Sequence, residues 1–137
     1  SRTGILKYHF FQKMLKVIWS FNNNPIDKRL VFTVNQGSSG MAYKTGMPVV
    51  INVKEDGTSE LNLNNDQKKA ISNLEFIISC PIFAFDERYN KLSDKVIGIL
   101  NVSSSHNHSS ILIKTPEDRS SLTSKVLAFS KICSLIM

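Results

Sequence analysis

The stretch VIGILNVSS, residues 96–104, decides the fold of this chain. It follows the run FIISCPIFAF, residues 76–85, from which the charged segment 86–95 separates it. Both runs are almost wholly apolar and rich in β-branched and aromatic residues, which is typical of buried strands. Because the intervening segment is charged and predicts a turn, we expect the two runs to pair as a central antiparallel hairpin.

Other strands are predicted upstream of this hairpin. Residues 5–21 fit either one helix or two strands about a turn at Gln12 and Lys13, and their aromatic and β-branched content favours two strands. Shorter strands are predicted at 30–34 and 49–53. Alternating strands and helices of this kind indicate the α+β class.

Three helices complete the prediction. The first lies between two turns, with Ser38 or Ser39 as its cap and Gly46 at its end. The second is predicted from about Asp66 to Leu74, capped by Asn65 or Asp66. The third begins at Pro116, because Thr115 can cap it and acidic residues follow in its first turn, and it continues to the end of the chain.

Composition indicates one folded domain over residues 1–137. Hydrophobic residues make up 42% of the chain and charged residues 20%, the balance of a globular protein. The net charge of +6 raises the question of nucleic acid, but the 17 Lys and Arg residues are scattered without a basic run. We therefore expect no nucleic-acid partner. No apolar run approaches the length of a membrane span, so the domain is expected to be soluble.

Few residues suggest chemistry of their own. Cys80 and Cys133 lie in apolar stretches and are expected to be reduced core residues. Reduced cysteines favour a cytoplasmic location for the domain. Membrane helices outside residues 1–137 would tether the domain to a membrane. His106 and His108 have a spacing that a metal ion uses, but no third ligand is evident, so we expect neither a metal site nor a cofactor. The turn 37–40 lacks the P-loop pattern and is interpreted as a tight turn before a helix.

Three segments resemble the GAF family of small-molecule sensing and regulatory domains. Residues 35–50, NQGSSGMAYKTGMPVV, are similar to its signature of two glycines followed by T-G-x-P-V. Residues 78–82, ISCPI, are similar to its proline-containing strand, and residues 96–104 to its "viGvLnv.S" strand. The resemblance covers about Leu15 to Met137. The helix that usually precedes the first strand is missing, and the motif of cyclic-nucleotide GAF domains is only partly matched.

The resemblance implies a GAF/profilin-like central antiparallel sheet of five or six strands, with helices on its faces. The terminal helix would cover one face, and a ligand pocket on the other would be roofed by the crossover 52–76 and the segment 37–43. It implies an unknown small-molecule ligand and a flanking kinase or other output domain in a longer chain. The expected ligand-binding residues, each with core packing as the alternative, are Trp19, Tyr43, Phe76, Ser79, Phe83 and Asn101.

The resemblance implies a regulatory module that senses a ligand, dimerises or does both, without catalytic residues. The alternative is a thiol enzyme of the free methionine sulfoxide reductase type that uses Cys80, which would need a reactive thiolate and a resolving partner such as Cys133.

The last helix predicts self-association. Leu122, Val126, Phe129, Cys133 and Ile136 form one apolar stripe at intervals of four and three, while Leu127, Ile132 and Leu135 form a second set. Because packing on a sheet needs only one stripe, we expect the second to face a partner subunit in a homodimer.

Overall fold

The structure, a computed structural model, describes residues 2–21, 30–105 and 116–135. It contains a single antiparallel sheet of six strands in the order β3-β2-β1-β6-β5-β4. The strands are β1 (Arg2–His9), β2 (Met14–Phe21), β3 (Val31–Thr33), β4 (Val49–Asn52), β5 (Leu74–Asp86) and β6 (Lys91–Ser105). The α+β class and the central antiparallel sheet expected from the sequence are thereby confirmed.

The helices lie in two groups. The helices α1 (Gly37–Thr45), α2 (Val53–Asp56) and α3 (Asn65–Ile71) occur between β3 and β5, whereas α4 (Pro116–Cys133) follows β6. A 3-10 turn at Ser59–Leu61 interrupts the crossover from β4 to β5. No helix in the described part of the chain has both the length and the apolar character that crossing a bilayer requires.

The hairpin β5–β6 is longer than the sequence predicts. Its strands extend to Asp86 and from Lys91, so that only residues 87–90 form the turn. Charged residues of the segment 86–95 therefore continue the ladder beyond the apolar runs, because backbone pairing does not require apolar side chains once the strands have met. The two-strand interpretation of residues 5–21 is correct: β1 and β2 pair about the turn 10–13.

Two of the predicted caps are wrong. The residue that precedes α1 is Gln36, which makes no side-chain cap, and the hydroxyls of Ser38 and Ser39 bond to the sheet instead. The cap of α3 is Asn64, which forms a reciprocal capping box with Gln67, and α3 ends at Ile71 rather than at Leu74.

The core is divided between the two faces of the sheet. On one face, alternate residues of β5 and β6 pack with α4 in a cluster that includes Ile78, Cys80, Leu100, Val126 and Cys133. On the opposite face, one cluster forms beneath α1 and another beneath the crossover. The sheet is therefore buried on both sides, as the nearly continuous apolar runs require.

The division of α4 into two stripes is partly wrong. Val126 and Cys133 are buried as expected, but Phe129 of the same stripe is 47% exposed, and Leu127 of the second set packs against the core. Ile132 and Leu135 are exposed as predicted. The helix lies mainly on β5 and β6, and among the described elements none covers its edge toward β2.

Gly40 provides the first test of this packing. A Cβ at this position would lie 2.8 Å from the Thr33 carbonyl oxygen and 2.9 Å from that of Val34. Glycine to alanine inside an exposed helix normally stabilises a protein by about 1 kcal/mol. Here we expect Gly40→Ala to lower the free energy of unfolding by about 1 to 3 kcal/mol, because the backbone must move apart.

Urea unfolding measures this change. The control, Met41→Ala, alters a more exposed side chain of the same helix and is expected to change stability by less than about 0.5 kcal/mol. An unchanged or increased stability of Gly40→Ala would contradict the close approach of α1 to the strand before it.

Candidate functional site

A cavity of about 100 Å³ lies between the sheet and the crossover that joins β4 to β5. Its floor is formed by β1, β2, β5 and β6, and its roof by α1, the 3-10 turn and α3. The larger apolar residues that line it are Leu6, Val17, Leu30, Phe32, Leu61, Leu63, Ile71, Leu74 and Ile77. Both segments that the sequence places over a pocket, the crossover and the start of α1, contribute to this roof.

Polar groups at the edge of the cavity attach α1 to the sheet. Ser79 Oγ lies 2.6 Å from Asn101 Oδ1 and 2.8 Å from Ser38 Oγ. Ser39 Oγ lies 2.8 Å from Asn101 Nδ2 and 3.1 Å from Asn101 Oδ1. We call these four residues the Ser-Asn cluster. Because it is largely removed from water, its bonds are effective, and losing one partner would leave a costly unpaired group.

A buried glutamine fastens the roof to the rest of the domain. Gln67 is completely buried, and its Nε2 donates to the Val31 carbonyl oxygen at 2.7 Å and to Gln36 Oε1 at 3.1 Å. Gln36 Oε1 also accepts from the Thr33 N–H, which explains why this side chain does not cap α1. The first N–H groups of α1, from Gly37 to Ser39, therefore precede the first intrahelical bond without a side-chain cap.

Two further polar residues occur where β1 and β6 pair. Ser103 is opposite Arg2 in the ladder, and both line the cavity. Ser103 is only 8% exposed, and its hydroxyl has no hydrogen-bond partner among the described residues. Ser103 is not among the residues predicted from the sequence, although it lies two residues after Asn101 and so faces the same side of the strand.

The structure does not bring the six predicted ligand-binding residues together. Asn101 lines the cavity, and Ser79 is hydrogen-bonded to it. Tyr43 stacks on Tyr8 with ring centroids 4.5 Å apart. The pKa of Tyr43 is raised, mainly by burial and to a smaller extent by the neighbouring Tyr8. Phe83 lies near Gly46 beneath α1.

The remaining two residues face α4. Phe76 is buried in the core cluster beneath that helix. Trp19 is 48% exposed and lines an open groove between β2 and α4, together with Phe21, Val126 and Phe129. The assignment of all six as ligand-binding residues stays a prediction, and only Asn101 touches the cavity described above.

Both cysteines lie on the face of the sheet opposite the cavity. Cys80 and Cys133 are free thiols in the core cluster beneath α4. Burial raises the pKa of the Cys80 thiol to about 11. Burial also raises the pKa of Cys133, against a smaller lowering by a backbone hydrogen bond. A thiolate nucleophile is therefore strongly disfavoured at both positions.

Within the described ranges, no three His, Cys, Asp or Glu side chains are grouped so that they could hold a metal ion. His106 and His108, the pair considered in the sequence, lie outside the described residues. The charged turn of the β5–β6 hairpin has an exposed ion pair between Arg88 and Asp86 at 3.4 Å, which is of little energetic consequence at the surface.

Comparison with known proteins identifies the fold through structure alone. No protein-family model matches the sequence, and no curated protein matches it. The GAF domain of nlh2 from A. aeolicus, solved in an inactive state, is similar with a TM-score of 0.68 at 15% identity, over 98% of this chain and 71% of that one.

Two further similar structures come from Staphylococcus aureus. One is NreA mutated in its nitrate binding site, with a TM-score of 0.59 at 21% identity, over 78% of this chain and 76% of that one. The other is fRMsr in its reduced form, with a TM-score of 0.57 at 15% identity, over 95% of this chain and 70% of that one. At these identities the similarity establishes a common fold, and the functions belong to those proteins.

The buried thiols generate a prediction about reactivity. With a pKa of about 11, Cys80 has roughly one thiolate in ten thousand molecules at pH 7. We expect the native protein to react with Ellman's reagent at neither cysteine on a timescale of minutes, because both side chains are buried and protonated.

Unfolding the protein in guanidinium chloride provides the control, in which both thiols should react at once. The single variants Cys80→Ala and Cys133→Ala assign any signal to its residue. Rapid labelling of native Cys80 at pH 7 would contradict an inert thiol and would support the thiol enzyme considered in the sequence analysis.

Proposed function

We propose that this chain, which has the GAF fold, is a regulatory module that binds a small molecule in the cavity beneath the crossover and has no chemistry of its own. The observation that carries the proposal is the cavity itself, which is apolar over most of its wall and polar where β1, β6 and α1 meet. A pocket of this kind uses apolar contact for affinity and a few polar groups for orientation.

The free energy of the folded domain favours a ligand in the cavity. The cavity is partly open to solvent, and its largely apolar wall is in contact with water when the cavity has no ligand, at a cost of roughly 25 cal/mol per Å² of apolar surface. The buried hydroxyl of Ser103, which has no hydrogen-bond partner in the part of the chain that the structure describes, adds the cost of an unsatisfied polar group. A ligand that fills the space and bonds to Ser103 recovers both terms, so that binding stabilises the folded domain.

Binding would be transmitted through the roof. The start of α1 and the crossover are fixed by few bonds, chiefly the Ser-Asn cluster and Gln67. A ligand that contacts both segments alters their positions relative to the sheet, and this change is the signal. The nlh2 GAF domain in an inactive state and NreA with its nitrate binding site have the same fold and support a sensing role. We place this module in a longer protein that carries an output domain.

The thiol enzyme is not part of the proposal. The likeness to fRMsr concerns the fold, whereas Cys80 is fully buried and separated from the cavity by the sheet. The two free thiols agree with a reducing compartment, and we place the module in the cytoplasm.

Filling the cavity tests the proposal. Ala70 lines the cavity from α3, so the larger side chain of Ala70→Leu occupies the space that a ligand needs. We expect small molecules that copurify with the native chain, identified by mass spectrometry after mild denaturation, to be lost from this variant. Its unfolding free energy should be equal to or above that of the ligand-free native protein, because the void is filled.

The control is Ala128→Leu, the same change at an exposed position of α4. This variant should retain any copurifying molecule. Equal loss from both variants, or no difference between native protein and Ala70→Leu with every small molecule tested, would contradict the cavity as the ligand site.

We also propose that the module forms a two-fold homodimer through α4. The observation is a set of exposed apolar side chains on α4 and β2, of which Phe129, Trp19 and Phe21 line one groove while Ile132 and Leu135 are exposed further along α4. We call it the α4 surface; its residues are Trp19, Phe21, Phe129, Ile132 and Leu135. It contains both a groove and projecting side chains, which is the self-complementary arrangement that an isologous interface needs.

Replacing two residues of the α4 surface tests the dimer. Phe129→Ser combined with Ile132→Ser removes apolar contact area without touching the cavity, so we expect the dissociation constant measured by sedimentation equilibrium to rise at least tenfold. The control is Phe10→Ser with Phe11→Ser, which changes two exposed phenylalanines in the β1–β2 turn. A native chain that is monomeric at all concentrations would refute the dimer.

A further inference from the structure

The turn between β1 and β2 carries two adjacent phenylalanines that the fold leaves in water. Phe10 is 75% exposed and Phe11 is 98% exposed, and their rings lie edge to face with centroids 5.7 Å apart. A hydrogen bond from the Lys13 N–H to the Phe10 carbonyl oxygen closes the turn. Turns of this kind normally use glycine, asparagine or aspartate, so the backbone geometry does not require aromatic side chains here. Nothing in the packing of the domain accounts for the exposed pair.

The hairpin that carries this turn is basic. Residues 2–21 include no acidic residue, and Lys7, Lys13 and Lys16 all lie at or near the turn. Lys7 and Lys16 are directly opposite in the β1–β2 ladder, where two like charges destabilise a sheet. Neither forms an ion pair with a residue that the structure describes. An anionic partner would relieve this repulsion. We call this group the Phe-Lys turn; its residues are Lys7, Phe10, Phe11, Lys13 and Lys16.

A second turn lies at the same end of the sheet. Because β1 runs antiparallel to β6, the end of β1 lies beside the start of β6, where the turn 87–90 closes the β5–β6 hairpin. Tyr89 in that turn is 67% exposed. The segment 86–95 has three acidic and three basic residues, so it adds an exposed aromatic side chain but no net charge. The net positive charge of the two hairpin ends therefore comes from the Phe-Lys turn.

The spacing of these groups fits a lipid surface. Lys7 and Lys16 each lie three residues behind the turn 10–13, which is about 10 Å at the rise of a β-strand. Apolar groups that dock at a membrane interface reach about 5 to 10 Å into the boundary between headgroups and acyl chains. With the two phenyl rings at that depth, the ammonium groups lie at the level of the lipid phosphates. A bilayer also needs no shaped pocket to receive a projecting turn, whereas a protein partner does.

We propose that the Phe-Lys turn docks this domain reversibly on a membrane surface that contains anionic phospholipid. Phe10 and Phe11 enter the interface, and the three lysines bind the negative headgroups. Cytoplasmic leaflets carry such lipids, which agrees with the compartment proposed above. None of the five residues lines the cavity, so docking is independent of the proposed ligand site.

Flotation of the whole chain with vesicles tests the proposal. At about 0.1 M salt, we expect binding to phosphatidylcholine vesicles that contain about 30% phosphatidylserine. Pure phosphatidylcholine vesicles should bind at least about tenfold more weakly, because each cation near an anionic surface contributes roughly fivefold. Raising the salt to about 1 M shortens the Debye length from about 10 Å to about 3 Å and should weaken binding to the anionic vesicles by about tenfold.

Replacing both phenylalanines separates insertion from simple attraction of charge. Phe10→Ser with Phe11→Ser should weaken binding to the anionic vesicles by at least about thirtyfold, because two apolar side chains are lost from the interface. Phe10→Leu with Phe11→Leu keeps most of the apolar area and should bind within about threefold of the native chain. Both double variants should keep the native melting temperature, since the side chains are exposed.

The lysines have a control that changes the net charge equally. Lys7→Gln with Lys13→Gln removes two charges at the turn and should weaken binding by about tenfold or more. Lys68→Gln with Lys69→Gln removes two charges from α3, which ends shortly before β5 begins and so lies at the opposite end of the sheet. This control should change binding by less than about threefold, because charges beyond a Debye length are screened.

Fluorescence locates the inserted side chain. Phe11→Trp adds an indole at the turn, and its emission should shift to shorter wavelength on the anionic vesicles and be quenched by brominated lipid. Trp19, the one native tryptophan, lies toward the other end of β2 and should show neither change.

Three results would overturn the proposal. Equal binding of the native chain and of Phe10→Ser with Phe11→Ser would leave only the attraction of a basic protein. Quenching of Trp19 in place of the turn would assign membrane contact to the α4 surface. A native chain that binds neither kind of vesicle would refute docking, and a dimer dissociation constant raised by the same double variant would then assign the turn to a second copy of the chain. None of these results bears on the cavity, which Ala70→Leu tests separately.

Discussion

The hydrogen bonds of Asn101 with Ser39 and Ser79 are the interaction on which the architecture of the cavity face depends. Asn101 lies on β6, Ser79 on its neighbour β5, and Ser39 in the first turn of α1, so one amide joins two central strands to a helix. The cluster holds α1 against the sheet at its N-terminal end, and Gly40 allows the same helix to approach the preceding strand closely. The space left between this fixed helix and the crossover is the cavity.

The alternation of side chains along β5 and β6 separates the two faces of the sheet. Residues such as Ile78, Cys80 and Leu100 form the core with α4, whereas Ser79, Asn101 and Ser103 lie on the cavity side. This division explains why a buried thiol only one residue from the Ser-Asn cluster takes no part in the cavity. It also places the cavity on one face and the apolar α4 surface on the other.

The sequence predicts the sheet well because β5 and the apolar part of β6 are continuous apolar runs that need burial on both faces. It predicts the cavity less well. Trp19 and Phe76 are aromatic residues of the kind that often line pockets, but their positions in the alternation of their strands place them on the α4 face. Period-two alternation from Asn101 would have found Ser103. The exposure of Phe129 depends on where α4 lies on the sheet, and no spacing within the helix determines that position.

The position of β1 has a consequence for synthesis on the ribosome. Residues 2–7 of β1 pair with residues 98–103 of β6. Strand β1 can therefore pair with β2 early, but it can pair with β6 only after the roughly 90 residues between them have been made. At typical translation rates this interval is roughly 5 to 20 s. During that time the hairpin of β1 and β2 presents an unpaired strand edge, together with the exposed phenylalanines of its turn. Closing the loop between β1 and β6 costs about 4 kcal/mol of chain entropy, which the hydrogen bonds and packing of the β1–β6 ladder offset only after β6 has been made.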